Sequence, residues 1–290
     1  MASIIGMGDN VVDCYAALDQ YFPGGNCVNV AVFAARAGAR AAYRGNVGRD
    51  AAGARIRSAL LAEGVDVAPL RMLPGRTASC RIALVDGERV FVEQDLGVSR
   101  FTVGAYELHL ARTNDAVHVG QSSGLDAALP TLAAAGRLSY DFSLRYDDAR
   151  IRGIAPLCFL ATFSGRTGDA GAGRELARRA VAAGAEWALV TLGSGGAVLA
   201  GDPGRVGGDG AVHRPSHPVD VVDTLGAGDT LTANVLVGLL DGEAPAAALE
   251  RAARRAAETC ARLGAFGHPA HGPAGLPPTN DQSTSTPRTS

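Results

Sequence analysis

The sequence contains no lysine: all 27 of its basic residues are arginine. That absence removes a G-x-x-x-x-G-K-[ST] phosphate loop, a lysine of the protein-kinase kind, and any amine for Schiff-base chemistry. Phosphate chemistry in this chain would have to rely on backbone amides, a metal ion or arginine. Aromatic residues are also scarce, at 5% of 290, so a clamp for a nucleoside base has only Tyr15, Tyr21 and Phe91 to draw on. Five cysteines (Cys14, Cys27, Cys80, Cys158 and Cys260) are scattered and form no C-x-x-C pair. This pattern favours free thiols in a reducing cytoplasm over a disulfide framework. No apolar run approaches a membrane span, and the opening MASIIGMGDN carries no basic leader. A net charge of −2 leaves no electrostatic footprint for nucleic acid or a membrane surface.

What is present is apolar and glycine-rich: 47% hydrophobic, 19% charged, with 38 glycines. Such a chain can bury a core as one large α/β domain or two small ones. SIIGMG (3–8) reads as a buried strand, 24–38 as a helix with a glycine-rich start, 41–47 as a strand and 51–63 as a helix. From 115 onward strands and helices alternate, including helices over 174–183, 231–240 and 246–263. That alternation predicts a mostly parallel sheet covered by helices on both faces. Two alternating runs, TASCRIALV and RVFVEQD, break the pattern. They are joined by Asp86-Gly87-Glu88, a hairpin signal, and predict a small separate sheet over about 77–95 with 11–21 as neighbour. The tail from 271 to 290 is rich in Pro, Thr and Ser and is expected to be disordered. RELARR and ERAARR read as solvated helix faces, with Glu175–Arg178 and Glu250–Arg254 pairs, and Trp187 and Phe159 as core.

Three glycine-rich elements carry the candidate chemistry. In DTLGAGDT (223–230), Gly226, Ala227 and Gly228 stand before an apolar helix whose face is expected to hold Leu231, Val235, Leu236 and Leu239. A helix N-terminus there attracts anions, and Asp229 is either a proton acceptor beside that seat or an ordinary first-turn aspartate. TLGSGGA (191–197) follows the apolar strand WALV and is either a ligand loop or a tight hairpin. The pair GDNVVD and PGGNCVN offers Asp9, Asn10, Asp13, Gly24, Gly25, Asn26 and Asn29. Short carboxylates and amides beside glycines suit a polyhydroxylated ligand, and equally suit strand ends and helix caps.

Taken together, these elements resemble the PfkB (ribokinase-like) family of carbohydrate kinases over roughly 3–268. The G-D-x-x-x-D strand end, PGGNxxNxA, GNVGRDAAG, TLGSGG and DTLGAGD occur in that family's order and spacing. The wording GMGDNVVD, PGGNCVNVAV and LGAFGH is most similar to fructoselysine 6-kinase-type members. The resemblance implies a ribokinase-like three-layer α/β/α sandwich over 1–270, with a small β-sheet lid built from about 11–21 and 77–95. It implies Asp229 as general base, with Gly226, Ala227 and Gly228 donating amides to the γ-phosphoryl group. It implies Thr191, Gly193 and Gly196 at the nucleotide, with Gly264-Ala265 at its adenine end. Asp9, Asp13, Gly25, Asn26 and Asn29 would lie at the sugar, and Asp223 in a loop holding a monovalent cation such as K⁺. ATP and Mg²⁺ are the implied cofactors, a sugar the acceptor, and a homodimer through the lid the implied assembly. The expected reaction is transfer to a primary hydroxyl, most similar members acting on the 6-hydroxyl of a fructosamine. Another ketose or nucleoside kinase and a silent sugar-binding relative are the alternatives.

Some residues depart from the family pattern. The N-x-x-E motif is absent from ATFSGRTGDAG, where Asp169 is the candidate substitute, and Asn26 stands where ribokinases have lysine. Arg81, Glu93, Gln94, Asp141 and Arg145 are candidates for substrate contact or for surface charge. His268 and His271 lie three apart in a Pro-Gly loop without an evident carboxylate partner. A nicotinamide-binding Rossmann reading fails because GMGDNVVD has no third glycine.

Overall fold

The computed structural model describes residues 1–15, 18–85, 88–165 and 168–272, without the side chains between 83 and 92. The Asp86-Gly87 turn, the Phe91 ring and positions 273–290 of the tail lie outside the described residues.

The larger sheet has eight strands in the order β14-β13-β12-β11-β10-β9-β1-β4. Its middle is β1 (Ser3–Met7), β9 (Ala116–Gly120), β10 (Arg137–Ser143), β11 (Cys158–Ser164) and β12 (Trp187–Thr191), with β4 (Arg40–Arg44) at one edge. These pair in parallel, and β1 and β9 are buried at every position, as strands covered on both faces must be. At the other edge β13 (Ala197–Gly201) and β14 (Ala211–Arg214) turn antiparallel. TLGSGG is therefore the hairpin between β12 and β13.

Side chains alternate between two cores with the period of two that a strand imposes. Ile4, Trp187 and Leu189 enter one core; Ile5, Met7, Ala188 and Val190 enter the other. The first core is roofed by helices α1 (Asn26–Arg36), α2 (Ala51–Ala62), α8 (Ala227–Leu240) and α9 (Pro245–Cys260). The second lies under α3 (Ala105–Thr113), α4 (Leu129–Ala135), α5 (Asp148–Ile154) and α6 (Ala170–Ala182). A short α7 (Pro203–Val206) sits between β13 and β14. This is the three-layer α/β/α sandwich, with Trp187 and Phe159 in its first core.

The second sheet has the order β15-β3-β2-β7-β8. It contains β2 (Val11–Tyr15), β3 (Gln20–Gly24), β7 (Ser79–Val85), β8 (Glu88–Asp95) and β15 (Ala270–His271). Residue 271, placed in the tail by composition, thus pairs with Gln20 in this sheet. A two-stranded pair, β5 (Asn46–Gly48) and β6 (Arg71–Leu73), completes the fold, so residues 41–47 form two strands where one was expected.

Three local expectations are corrected. Helix α8 is buried from Thr230 to Leu239 on all sides, because α1 packs on it from one side and α9 from another. A single apolar face would have left one of these neighbours on polar surface. Arg178 pairs with Asp209 and not with Glu175, whereas Glu250 and Arg254 do approach, at 3.8 Å. His268 has a carboxylate partner, Glu63, 2.7 Å away. Among the described residues no cluster of three or more His, Cys, Asp or Glu could hold a metal, and no helix is long and apolar enough to cross a membrane.

Helix α3 is pinned to the edge strand β4 by a buried ion pair. Arg44 and Glu107 are 1% and 4% exposed, and Arg44 Nε donates to Glu107 Oε1 at 2.9 Å. Glu107 Oε2 accepts the Gly104 N–H, and Arg44 also donates to Gly45 O and Asn46 Oδ1 with the Phe101 ring 4.2 Å from its guanidinium carbon. Both side chains are buried and hydrogen-bonded beyond each other, so removing one partner strands the other. Glu107→Ala is expected to cost about 3–5 kcal/mol in urea denaturation, and Glu107→Gln less; equal stability to wild type would show that the pair contributes nothing.

Candidate active site

Helices α1 and α8 start at the carboxyl ends of the sheet strands, where open α/β sheets bind ligands. Gly226 takes a left-handed φ of +79° as the residue before α8, a turn that glycine adopts without strain. Asp229 follows as the acidic residue of the first turn. Its Oδ2 accepts from Asn29 Nδ2 at 2.6 Å and its Oδ1 from Asn26 Nδ2 at 2.7 Å. Both asparagines lie in the opening turn of α1, so the two helix starts are joined by one carboxylate. The same Asn26 amide donates to Asp141 Oδ2 at 2.8 Å, at the end of β10. Gly120 is required beside it: a β-carbon there would collide with Asn26 Oδ1.

The carboxylates are unusually basic. At the floor of this narrow site, loss of hydration raises Asp229 to about 6; the bonds from Asn29 and Asn26 oppose the rise and Asp9 adds to it. Asp141 rises to about 7, through burial first and the charge of Asp229 next. Ser143, held at φ +51°, donates its N–H to Asp141 Oδ1.

Two cavities meet here. One of about 180 Å³ is lined by Asp141, Thr162, Gly226, Gly228, Asp229 and Thr232 among others. A larger one, of about 540 Å³, runs along Thr191, Gly193, Gly196 and the 216–221 loop to an apolar end at Ala253, Ala256 and Ala257. They share Ser164, Thr191 and Gly228. No arginine lines either among the described residues. An anion at the junction would therefore be met by the amides and dipole of α8.

The remaining candidates separate into groups. Asp9 accepts the Asn26 N–H through Oδ2 and the Ser123 hydroxyl through Oδ1, closing the start of α1, where Gly25 is the N-cap. Asp13 is buried in β2 at the second sheet. Asp223 accepts from Tyr15 Oη at 2.7 Å, Gly264 N at 3.0 Å and Leu225 N at 3.0 Å. A K⁺ in this loop would share the Asp223 carboxylate with those three donors. Gly264 packs on Phe22 and Ala265 on Gly226, so this turn supports the α8 loop and does not line the larger cavity. Asp169 accepts the Ala172 N–H as the N-cap of α6 and lines neither cavity.

The pfkB family carbohydrate kinase profile matches residues 9–269, across both sheets and all the residues of the site just described. The chain belongs to this family. It is accordingly a carbohydrate kinase, a phosphotransferase acting on a sugar hydroxyl. Fructosamine kinase FrlD of Bacillus subtilis (strain 168) is 35% identical over 270 residues, covering 91% of this chain and 93% of that protein. Fructoselysine 6-kinase of Escherichia coli (strain K12) is 32% identical over 270 residues, covering 92% of this chain and 100% of that protein. The structure of Arabidopsis thaliana ribokinase complexed with ribose and ATP superposes with a TM-score of 0.78 at 21% identity, over 94% of this chain and 97% of that one.

For a pfkB kinase the most informative residue absent from the sequence reading is His118. It is a lone histidine in the apolar strand DAVHVG, two residues before the glycine that admits Asn26. Thr162, Ser164 and the 216–221 loop were also invisible, since nothing in their local sequence marks them as cavity walls.

The carboxyl titrations can be read directly. Carbon-13 NMR of labelled aspartate should show two coupled steps near pH 6 and pH 7. In Asn29→Ala the ionised form of Asp229 loses a hydrogen bond, so the lower step should move to higher pH. A step that stays in place would mean that Asn29 does not stabilise the charge.

Proposed function

We propose that this kinase transfers the γ-phosphoryl group of ATP to a primary hydroxyl of a fructosamine, such as the 6-hydroxyl of fructoselysine. The observation that carries the mechanism is Asp229, standing in the first turn of α8 in the smaller cavity, next to Gly228 where the two cavities meet. The nucleotide lies in the larger cavity along Thr191, Gly193 and Gly196, and its phosphates reach Gly226, Ala227 and Gly228. The sugar lies over Asn26 and Asn29, with Asp13, Gly25 and Asp9 beside it. Its hydroxyl gives a proton to the Asp229 carboxylate as the oxygen bonds to the γ-phosphorus. The bond from that phosphorus to the bridging oxygen breaks, and ADP leaves. The α8 amides take the charge that builds on the transferred group, in place of the absent lysine.

Identities of 35% and 32% to a fructosamine kinase and a fructoselysine 6-kinase support the acceptor. Mg²⁺ fits as an ion carried by the nucleotide, neutralising its phosphates. The Thr162 hydroxyl, 2% exposed and without a hydrogen-bond partner among the described residues, is free to hold a water of its shell. The second sheet serves as a lid that excludes water, and its edge strand β8 is the place for a second copy to pair. Four buried free thiols accord with a cytoplasmic enzyme.

The test is ADP release with ATP and Mg²⁺ on fructoselysine, fructose, ribose and adenosine, run beside Asp229→Asn. Fructoselysine should turn over fastest, and the variant should lose about 10²–10⁴-fold in kcat. Turnover confined to ribose or adenosine would replace the acceptor, and an active Asp229→Asn would remove the base.

A further inference from the structure

His118 is fully buried in the middle of the sheet, yet both of its ring nitrogens are engaged. Nδ1 lies 2.9 Å from Ser139 Oγ on the neighbouring strand, directly opposite in the parallel register. Nε2 lies 2.9 Å from Asn26 Oδ1. Burial pushes the ring down to about 4 against the pull of Asp9, so at neutral pH it carries a single N–H.

The direction of every bond in this chain follows from its far end. The ionised Asp229 carboxylate can only accept, and Asp141 accepts once ionised, so Asn26 Nδ2 points at both. Asn26 Oδ1 then faces His118 and must accept, which puts the imidazole proton on Nε2. Nδ1 is left as an acceptor and takes the Ser139 hydroxyl proton. Donation thus runs one way, from Ser139 through His118 and Asn26 to Asp229, and bonds aligned in this way polarise one another.

We propose that His118 and Ser139 are positioning residues, which anchor the Asn26 carbonyl oxygen and polarise its NH₂ group, and thereby aim and tune the Asp229 carboxylate. This rests on the reading of Asp229 as the base. Without the imidazole N–H, the buried Asn26 Oδ1 is left without its donor, and the amide loses the anchor opposite the carboxylates. Asp229 would receive a weaker, less well aimed hydrogen bond from Asn26, become harder to ionise, and depend more on Asn29 for its aim. The charged and titratable groups around this chain are Asp9 beyond β1, Cys27 beside Asn26 on α1 with Tyr43 behind it, Asp141 on β10, and Asp229 itself. None is a cation that could replace the lost donor.

The experiment compares pH profiles of kcat/KM for His118→Leu, His118→Gln and Ser139→Ala with wild type, using ATP, Mg²⁺ and the best sugar. The wild-type acid limb should fall near pH 6. In His118→Leu it should move up by about half a unit to one unit, because the hydrogen bond to the charged form is weakened. In the same variant kcat should fall about 10- to 100-fold, as a misaimed group costs, while the sugar KM changes little. In His118→Gln the side-chain amide can stand where Nε2–H stands, so most of both losses should be recovered. Ser139→Ala should shift the limb in the same direction by less. A limb unmoved in both His118→Leu and Ser139→Ala, or Gln no better than Leu, overturns the proposal. Should His118→Leu not fold, an unmoved limb in Ser139→Ala overturns it alone. Asp229→Asn is measured alongside: if it is inactive while the limb stays fixed, the positioning role fails and the base reading stands. If it is active, the base reading fails first.

Discussion

Two helices begin at the same point of this molecule, and one carboxylate holds their first turns together. Asn26 and Asn29 of α1 donate to Asp229 of α8 across about 200 positions of chain. That contact fixes where the glycine turn before α8 sits relative to the sheet, and hence where the two cavities meet. It also explains why Asp229 is basic without being protonated outright. Burial favours the neutral acid, while two amide donors favour the anion, and the balance falls near 6. A carboxylate with no donors would be too reluctant to ionise, and one fully hydrated would be a weaker base.

The motif-bearing parts of this arrangement were legible in the sequence. Glycines at 226 and 228 before an apolar run announced a helix start, and the alternation of apolar segments announced a parallel sheet with a separate hairpin sheet. What could not be read was anything decided by partners distant in the chain. Helix α8 lacks a polar face because α1 and α9 cover it, which no window of its own sequence contains. The family resemblance implied Asp223 beside a monovalent cation and the Gly264 turn beside the nucleotide. The structure has them bonded to each other, and the turn packed beneath α8. His118 gave only the signal of a polar residue in a buried strand, and its meaning depends on Asn26, 92 positions earlier.

The absence of lysine has a structural counterpart. The chain's arginines are spent elsewhere: Arg44 in a buried pair, Arg150 on Asp126 and Tyr140, Arg251 on Asn234 and Glu243. None lines the two cavities among the described residues. An anion at their junction would thus meet main-chain dipoles, whose positions are set by packing and do not wander as a long cationic side chain does.

The Asp223 carboxylate has a mechanical consequence. It grips Tyr15 on the second sheet with one oxygen, and that same oxygen takes the Gly264 N–H, while the other oxygen takes Leu225 N–H one residue before Gly226. The second sheet is therefore latched to the turn that launches α8. A displacement of β2 must either break a buried hydrogen bond or drag the start of α8 with it. The second sheet and the start of α8 consequently behave as a single lever, so that any movement of one is transmitted to the other.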